Sequence, residues 1–390
     1  MEKGVRTYSK LILNYIINIS NYCNLIINHI KDKKLKLNWF AVQPTSYNYY
    51  FYSAIKQSDK LDISVFYSLK EFSQLPYKEK FYDSEDYFFL EDLLIDFNII
   101  RRTFSRNTFI VYAGWDGKTK LLSIFLRSLL NLPFAIWTDS INPDQYQKNT
   151  ITKYLKILFF KKAKVIFTTG LMGINSLKKI LNSECHNKIV NLPYFSKIPR
   201  LYKSAMEKSD KDKFNILVLS RLVDYKGVDI VVEAVKKLNS QNVKLYIGGV
   251  GELAETLKRK SLELNIQDQV VFCGFLNENE MIELQNKCHV FVHAAKKHEP
   301  YGLVVIDNLS MGIPVIATNV TGAAIDRIKD GFNGFIIEPN DVNSLVHKLE
   351  YLMKNQTMLI EMSANARVGA EQWTAERGVS IIENSLINSL

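Results

Sequence analysis

Short apolar runs alternate with helical patterns along both halves of the 390-residue chain. Such alternation is typical of α/β domains in which buried parallel strands are joined by right-handed helical crossovers. The strands predicted in the first half are Asn38–Gln43, Asp62–Tyr67, Thr108–Tyr112, Phe134–Thr138 and Lys164–Thr168, with helices at Lys118–Leu130 and Asn175–Leu181. Those predicted in the second half are Phe214–Leu219, Val243–Ile247, Val270–Cys273, Val290–His293 and Pro314–Ala317, with helices at Gly227–Leu238, Glu278–Lys287 and Leu303–Met311. The pattern predicts two open parallel sheets, each forming a Rossmann-like domain.

A polar stretch of mixed charge, Lys197–Lys213, separates the two series and has the composition of a linker. The N-terminal domain is therefore expected to span residues 1–197. In open α/β sheets, ligands bind beyond the carboxyl ends of the strands. The loops that follow the strands are thus the places where a site is expected.

The basic charge of the chain is concentrated in two segments of the N-terminal half. The formal net charge is +10, while residues 1–37 contribute +5 and residues 145–188 contribute +8. Local basic patches favour a polyanion or an anionic membrane surface, although a solvated face explains them equally well. Because 47% of the residues are hydrophobic, with no apolar run of about 18 residues and no CxxC pair, we expect a globular protein without a spanning helix or a zinc site.

The segment His298–Asp307 joins a predicted strand to a predicted helix. The start of that helix, at residues 301–304, offers unpaired backbone N–H groups that suit a phosphate. Gly302 lets a ligand approach the backbone closely, and the carboxylates of Glu299 and Asp307 suit the hydroxyls of a sugar or a ribose. Taken alone, Glu299 is better explained as an acidic residue that satisfies the helix dipole.

A second strand-to-helix segment, Ser220–Gly227, carries two cations. Arg221 stands at the carboxyl end of the predicted strand, and Lys226 stands at the entrance to the next helix. A guanidinium and an ammonium group in these places suit a diphosphate, and they would stabilise the charge that builds on it as a sugar–phosphate bond breaks. An isolated pair of this kind is more often two surface cations.

Together these elements resemble the donor-binding domain of glycosyltransferase family 4, a family of retaining enzymes with the GT-B fold. Glu299 and Asp307 have the spacing of the family's Glu-x7-Glu signature, and Ser220–Gly227 matches its Arg–Lys element. The further elements Gly248–Gly251, Phe272–Phe275, Gly312–Ala317 and Asp330–Asp341 follow in the family's order. The resemblance implies two Rossmann-like domains that face each other across a cleft. The donor domain would span residues 198–372, and a C-terminal helix, residues 373–390, would pack back on the N-terminal domain.

The resemblance also implies a role for each matching residue. Arg221 and Lys226 would hold the donor diphosphate, Glu299 would contact the transferring sugar, and Asp307 would bind the ribose hydroxyls. The other donor-binding residues would be Gly248, Gly274, Phe275, Pro300, Tyr301, Gly302, Leu303 and Val304. Asp307 replaces the usual Glu and reaches about 1.5 Å less far, which leaves the exact donor open.

The N-terminal half resembles the family less closely. Many members carry a His after a strand of this domain, whereas Asp139 follows Phe134–Thr138 here. Asp139 would accept a hydrogen bond from the sugar or act as a base toward the acceptor hydroxyl, and capping of the next turn is an equally good explanation. Trp115 would either stack on a sugar or pack in the core. His289 and His293 flank a strand and are expected to be packed or satisfied by hydrogen bonds.

Residues 153–162 have the pattern of a basic amphipathic helix, with Leu155, Leu158 and Phe159 on its apolar face. Many members of the family act on lipid-linked glycans at the cytoplasmic face of the membrane. The resemblance thus favours peripheral contact with an anionic membrane through residues 1–37 and 148–164. Packing of the aromatic face on the sheet is the alternative.

These features predict a retaining glycosyltransferase that moves a sugar from a nucleotide-diphosphate sugar to a glycan or lipid-linked acceptor, in the synthesis of surface polysaccharide or another glycoconjugate. No metal or other cofactor is expected, because no paired carboxylates face the diphosphate. A GT-B epimerase or phosphorylase and a non-catalytic transferase subunit remain alternatives. A dehydrogenase is disfavoured because the Gly248–Gly251 loop lacks the GxGxxG form, and nucleic-acid binding rests on charge alone.

Overall fold

Two fully parallel sheets, one in each half of the chain, organise the fold. The computed structural model describes residues 34–69, 83, 85–88, 95–115, 117–142, 151–199 and 213–389. The predicted α/β architecture with two Rossmann-like sheets is confirmed. The predicted strands Phe134–Thr138, Phe214–Leu219 and Val290–His293 are found with the predicted bounds.

The N-terminal sheet has seven described strands and is flanked by five described helices. The strands are β1 (Leu35–Ala41), β2 (Leu61–Tyr67), β3 (Tyr87–Phe88), β4 (Thr108–Ala113), β5 (Phe134–Thr138), β6 (Val165–Thr168) and β7 (Ile189–Asn191). The helices are α1 (Ser46–Lys56), α2 (Phe97–Thr103), α3 (Lys118–Leu129), α4 (Ile151–Lys162) and α5 (Gly170–Ile180). The strand order is β3-β2-β1-β4-β5-β6-β7, so the order reverses between β1 and β4.

The C-terminal sheet has six described strands and the same winding. The strands are β8 (Phe214–Leu219), β9 (Val243–Gly248), β10 (Val270–Gly274), β11 (Val290–His293), β12 (Val315–Thr318) and β13 (Gly334–Ile337). The helices are α6 (Val228–Leu238), α7 (Ala254–Glu263), α8 (Glu278–Gln285), α9 (Leu303–Ser310), α10 (Gly322–Arg327), α11 (Val342–Lys354), α12 (Gln356–Glu371) and α13 (Ala375–Ile387). The strand order is β10-β9-β8-β11-β12-β13, which reverses between β8 and β11.

The last helix, α13, returns to the N-terminal domain and packs against α1. Its buried residues Val379, Ile382 and Leu386 belong to the same apolar cluster as Phe51 and Tyr52 of α1. Glu383 anchors the helix by accepting hydrogen bonds from the Ser58 hydroxyl and the Lys60 ammonium. The chain therefore crosses between the domains a second time near residue 373.

The basic segment at residues 1–37 is predicted to contact a membrane, but its last residues are part of the N-terminal sheet instead. Leu35–Leu37 are part of β1, and Leu37 is fully buried. The strand β1 pairs with both β2 and β4, and this pairing extends it three residues toward the N-terminus of the predicted strand. Residues 1–33, 148–150 and most of the predicted linker, 200–212, lie outside the described residues.

Helix α4 confirms only part of the predicted amphipathic pattern. Leu155 and Leu158 are exposed, but Phe159 is buried together with Phe160 in the core of the N-terminal domain. Trp115 packs on both rings, with centroid distances of 6.4 Å to Phe159 and 5.2 Å to Phe160. For Phe159 the structure therefore bears out the alternative, packing of the aromatic face on the sheet, and not contact with an apolar phase. Trp115 packs in the core, the second of the two interpretations given for it. No helix in the described part of the chain is long and apolar enough to cross a membrane.

Candidate active site

Most of the predicted site residues of the C-terminal domain follow β8 or β11, the two strands between which the sheet order reverses. Ligands of open α/β sheets bind in the crevice at such a switch point. Arg221 and Lys226 follow β8, while Glu299 and Gly302 follow β11 and lead into α9. The fold thus brings two cations, one carboxylate and a helix N-terminus together.

An ion pair between Lys226 and Glu299 forms the centre of this site. The Nζ of Lys226 lies 2.5 Å from Oε2 of Glu299, and each side chain keeps only about an eighth of its surface exposed, at 12% and 13%. Gly227 fixes the position of Lys226, because its φ of +68° is left-handed and an added Cβ would lie 1.8 Å from the Ala294 carbonyl oxygen. The backbone therefore holds the ammonium group over the carboxyl end of β11.

Tyr225 brings the second cation beside the first. Arg221 donates a hydrogen bond of 2.5 Å from Nη2 to the Tyr225 hydroxyl. The same ring lies 5.9 Å from the Arg221 guanidinium carbon and 5.2 Å from the Lys226 ammonium nitrogen. Arg221 is exposed and Lys226 is partly buried, so an incoming anion meets one cation at the surface and one inside the cleft.

Helix α9 begins at Leu303, with Gly302 as its N-cap at a φ of +89°. In its first turn the Val305 N–H bonds to the Gly302 carbonyl oxygen at 3.0 Å. The N–H groups before it have no acceptor within the helix, which makes this end attractive to an anion. Pro300 and Tyr301 precede the cap, and Val304 lies in the first turn. The Tyr301 hydroxyl accepts hydrogen bonds from Arg327, and its ring packs 5.5 Å from the ring of Tyr194.

Asp307, in the second turn of α9, is held by residues from outside its own domain. The Tyr47 hydroxyl donates to Oδ2, and the Ser196 hydroxyl donates to Oδ1 at 3.1 Å. Burial raises the pKa of the Asp307 carboxyl to about 6, although both hydrogen bonds act in the opposite direction. The residue expected to bind ribose thus faces the cleft with its two oxygens occupied by hydroxyl groups.

Asp139 lies at the carboxyl end of β5, on the opposite wall of the cleft. Its Oδ1 accepts a hydrogen bond of 3.2 Å from the Thr169 hydroxyl, and Tyr194 also hydrogen-bonds to the carboxylate. Burial raises the pKa of Asp139, and the negative charge of Glu299 contributes in the same direction. Ser140 and Pro300, the sequence neighbours of Asp139 and Glu299, are hydrogen-bonded at 3.1 Å, so the two carboxylates belong to one cleft.

The three remaining predicted residues lie at the carboxyl ends of the neighbouring strands β9 and β10. Gly274 has a φ of +68° with open space around it, and Phe275 is 39% exposed. Gly248 has less room, because an added Cβ would lie 2.7 Å from Leu219 and 2.8 Å from Leu276. Gly274 and Phe275 are thus accessible to solvent, whereas Gly248 serves close packing at the end of β9.

Several cleft residues were not identified from the sequence. They are Tyr47, Ser140, Thr169, Tyr194, Ser196 and His298. The hydroxyl of Ser140 lies 3.0 Å from Nε2 of His298 and donates to the Pro300 carbonyl oxygen, which links the two walls. Ser140 and Thr169 each follow a predicted strand closely, and this position in the sequence could have identified them as site candidates. The hydrogen-bond partners of Tyr47 and Ser196 depend on how the domains pack and are not indicated by the sequence.

His289 and His293 are both packed, as predicted, but only His289 has all of its buried polar atoms hydrogen-bonded. His289 is packed and satisfied, because its Nδ1 accepts a hydrogen bond from the Asn215 N–H at 3.0 Å. His293 is equally buried, at 3% exposure, but its Nε2 has no hydrogen-bond partner among the described residues. The described residues also contain no group of three or more His, Cys, Asp or Glu that could hold a metal ion.

Solved structures with the same two-domain architecture define the class. The Anabaena protein HepE, crystallised in complex with UDP, superposes with a TM-score of 0.73 at 15% identity, covering 90% of this chain and all of HepE. The lipopolysaccharide outer core galactosyltransferase WaaB, in its apo form, gives a TM-score of 0.69 at 14% identity, with 91% and 100% coverage. The fold is that of the GT-B glycosyltransferases.

The similarity to known families is concentrated in the C-terminal domain. Residues 202–369 match the family model of glycosyl transferases group 1, and this match includes the segments that carry Arg221, Lys226, Glu299 and Asp307. The capsular polysaccharide biosynthesis glycosyltransferase CapM of Staphylococcus aureus is 29% identical over 67% of this chain and 72% of its own length. An uncharacterized glycosyltransferase of Methanocaldococcus jannaschii is 28% identical over 43% of this chain, and the match spans only 42% of that protein.

Proposed function

We propose that this protein is a retaining glycosyltransferase that moves a sugar from a nucleotide-diphosphate sugar to a glycan or lipid-linked glycan acceptor in the synthesis of a surface polysaccharide or a related glycoconjugate. The observation that carries this proposal is the arrangement of Arg221, Lys226 and Glu299 around the N-terminus of α9. Relatives support the acceptor class: a Campylobacter jejuni enzyme that is 26% identical over 55% of this chain transfers N-acetylgalactosamine to a diphospho-undecaprenol acceptor, according to its name.

The two cations supply the electrostatic part of the chemistry. As the bond between sugar and phosphate breaks, negative charge builds on the leaving diphosphate, and cations already fixed in place stabilise it without reorganisation. Lys226 is partly buried, which strengthens its interaction with that charge compared with bulk water. The first turn of α9 adds backbone N–H donors to the same anion.

The acceptor hydroxyl attacks from the face that the phosphate leaves, so the anomeric configuration is kept. In such same-face attack the departing phosphate takes the proton of the acceptor hydroxyl. Glu299 contacts the transferring sugar, and Asp139 on the opposite wall accepts a hydrogen bond from the sugar or assists proton removal. The reaction is proposed to need no metal, because Arg221 and Lys226 hold the position of the diphosphate charge. Loss of activity with a chelator and recovery with Mn²⁺ would contradict that part.

A panel of nucleotide sugars tests the proposal. Wild-type protein is mixed with UDP-, GDP-, ADP-, CMP- and dTDP-sugars, and thermal shift and donor hydrolysis are recorded. One base and one sugar are expected to stabilise the protein and to be hydrolysed, and the UDP-sugars come first because HepE was crystallised with UDP. A flat response in both readouts to every donor rules out the transferase function.

We further propose peripheral contact with an anionic membrane through residues 1–37, other than those in β1, and 148–164. Helix α4 exposes Tyr154, Leu155 and Leu158, and it carries lysines without any acidic residue. The neighbouring helix α3 exposes Leu121, Phe125 and Leu129, so both helices present apolar side chains to solvent. Apolar side chains flanked by lysines are typical of surfaces that lie on anionic bilayers.

Vesicle flotation tests this contact with a matched pair of variants. Leu158→Gln removes an exposed leucine of α4, and Leu262→Gln removes an exposed leucine of α7 in the other domain. Only Leu158→Gln is expected to weaken binding to vesicles that contain phosphatidylglycerol. Equal flotation of all three proteins, or no flotation that depends on salt, argues against a membrane surface here.

A further inference from the structure

His293 ends β11 directly beneath the proposed donor site and has an unused polar atom. Its ring is buried and stacks on Phe291 with a centroid distance of 6.3 Å. An imidazole nitrogen buried without a partner costs about 1–3 kcal/mol, so packing alone does not favour a histidine in this place. A leucine in this position would bury a similar volume without an unpaired polar atom. The presence of a histidine therefore suggests a role for its nitrogen.

The free nitrogen faces Glu299 across Gly302. The position that a Cβ of Gly302 would take lies 3.7 Å from Nε2 of His293 and 3.6 Å from Cγ of Glu299. Because Gly302 has no side chain, nothing of that residue separates the imidazole from the carboxylate arm. Rotation about the Glu299 side-chain bonds can bring a carboxylate oxygen toward Nε2.

His293 is a neutral group in this environment. Burial and the positive charge of Lys226 lower the pKa of His293 to about 4, while the charge of Glu299 acts in the opposite direction. A neutral imidazole carries one N–H, and with the proton on Nε2 it is a hydrogen-bond donor to a carboxylate.

Donor binding changes the partner of Lys226. In the unliganded site the ammonium group is bound to Glu299, whereas the proposed function requires it to hold the diphosphate. Glu299 is then a carboxylate with 13% exposure that has lost its cation, and a buried unpaired charge is strongly unfavourable. A new donor within reach of Glu299 would offset that cost at the moment when the carboxylate has to face the sugar.

We propose that His293 is a positioning residue: when the donor diphosphate draws Lys226 away from Glu299, the Nε2–H of His293 takes over the carboxylate and orients it toward the transferring sugar. This inference rests on the proposed glycosyltransferase function. It predicts that His293 matters for turnover and not for the binding of the nucleotide or for the stability of the free protein.

Two histidines at opposite ends of one strand give a matched experiment. His293→Leu removes the unpaired nitrogen, and His289→Leu removes an acceptor that the Asn215 N–H uses. For His293→Leu we expect a melting temperature equal to or above that of the wild type, an unchanged Kd for the free nucleoside diphosphate, and a kcat lower by about 10-fold or more, the scale of one hydrogen bond to a charged group. For His289→Leu we expect a lower melting temperature and an unchanged kcat.

Two further variants test whether His293 acts through Glu299. His293→Gln, whose side-chain amide can donate at a similar distance, is expected to recover most of the lost kcat. Adding His293→Leu to Glu299→Gln is expected to slow the enzyme little beyond Glu299→Gln alone, because residues that act as a unit are not additive.

The outcomes separate this inference from the function on which it rests. If the wild-type protein processes no donor, both the proposed transferase function and the role of His293 are ruled out. Three outcomes with an active wild type overturn the role of His293 and leave the transferase function standing. They are an unchanged kcat in His293→Leu, a kcat that falls only in step with the melting temperature, and multiplicative losses of kcat in the double variant.

Discussion

The hydroxyl of Tyr47, in the first turn of α1, donates a hydrogen bond to Asp307 in α9 and so joins the two domains across the cleft. Ser196 donates to the other carboxylate oxygen from the segment that follows β7. The side chain proposed to bind the donor ribose is therefore also a contact between the domains. A ribose that binds Asp307 has to share or replace these hydroxyls, which couples donor binding to the packing of the cleft.

Replacement of Asp307 by asparagine should change how stability depends on pH. The folded protein raises the pKa of this carboxyl from 3.8 to about 6, so its contribution to stability is complete below pH 4 and is lost as the pH rises through 6. An asparagine side chain does not ionise. The melting temperature of Asp307→Asn should therefore rise relative to that of the wild type between pH 4 and pH 7, and the difference should persist above pH 7.

Thermal melts at pH 4.5, 6.0 and 7.5 measure this effect, with Asp268→Asn at an exposed position of the same domain as the control. A difference between wild type and Asp307→Asn that is the same at all three pH values contradicts a raised pKa. Asp307→Asn should also weaken nucleotide binding by about 10-fold, the scale of a hydrogen bond to a charged acceptor.

Loss of either proposed diphosphate cation should slow catalysis strongly. Arg221→Ala and Lys226→Ala are each expected to lower turnover by on the order of 10²-fold, because each removes one charge fixed in place for the transition state. Lys236→Ala removes an exposed lysine from α6 in the same domain and should leave turnover unchanged. Steady-state donor hydrolysis decides the matter, and near-normal rates in both cation variants would refute the proposed clamp.

Gly227 should tolerate a side chain much less well than another left-handed glycine. Gly331→Ala, at a φ of +74° with open space around it, should cost about 1–2 kcal/mol for the left-handed backbone alone. Gly227→Ala adds a collision with the Ala294 carbonyl oxygen, and its urea unfolding midpoint should fall clearly below that of Gly331→Ala. Equal midpoints would mean that the turn holding Lys226 is not tightly packed.

Asp139→Asn should separate chemistry from donor binding. Burial and the charge of Glu299 raise the pKa of Asp139, so the ionised form is lost at a higher pH than for an ordinary aspartate. If the carboxylate serves the sugar or the acceptor hydroxyl, Asp139→Asn should lower kcat by about 10²-fold or more and leave the nucleotide Kd unchanged. The acid limb of the pH–rate profile should disappear in this variant. A weaker nucleotide Kd with a normal kcat would place Asp139 outside the reaction.

Five of the six described strands of the C-terminal sheet could be predicted from the sequence because each is a short apolar run with a clear end, as in Phe214–Leu219; β13 was not predicted. Helix α1 is not predicted from the sequence because Ser46–Lys56 is rich in Tyr and also contains Ser and Asn, all of which favour helices weakly. Its helical structure depends instead on the N-cap Thr45 and on the packing of Phe51, Tyr52 and Ile55 against the N-terminal sheet and α13. Tertiary contacts thus decide what local preference leaves open.

The candidate site divides in the same way. Arg221, Lys226 and Glu299 follow predicted strands, so their placement at one edge of one sheet could be predicted. The contact between Tyr47 and Asp307 joins residues 260 positions apart in two domains, and nothing in either local sequence indicates it. The unpaired nitrogen of His293 could not be predicted either, because His289 at the other end of β11 looks the same in sequence and is satisfied.

The most direct test of the account is the preference of the free protein for a nucleoside diphosphate over the corresponding monophosphate, measured by calorimetry for wild type and Lys226→Ala. With the base chosen from the donor panel, the wild type should bind the diphosphate more tightly, and Lys226→Ala should lose most of that preference while its affinity for the monophosphate stays nearly the same. An equal preference in both proteins would show that Lys226 does not hold the second phosphate, and it would contradict the central claim.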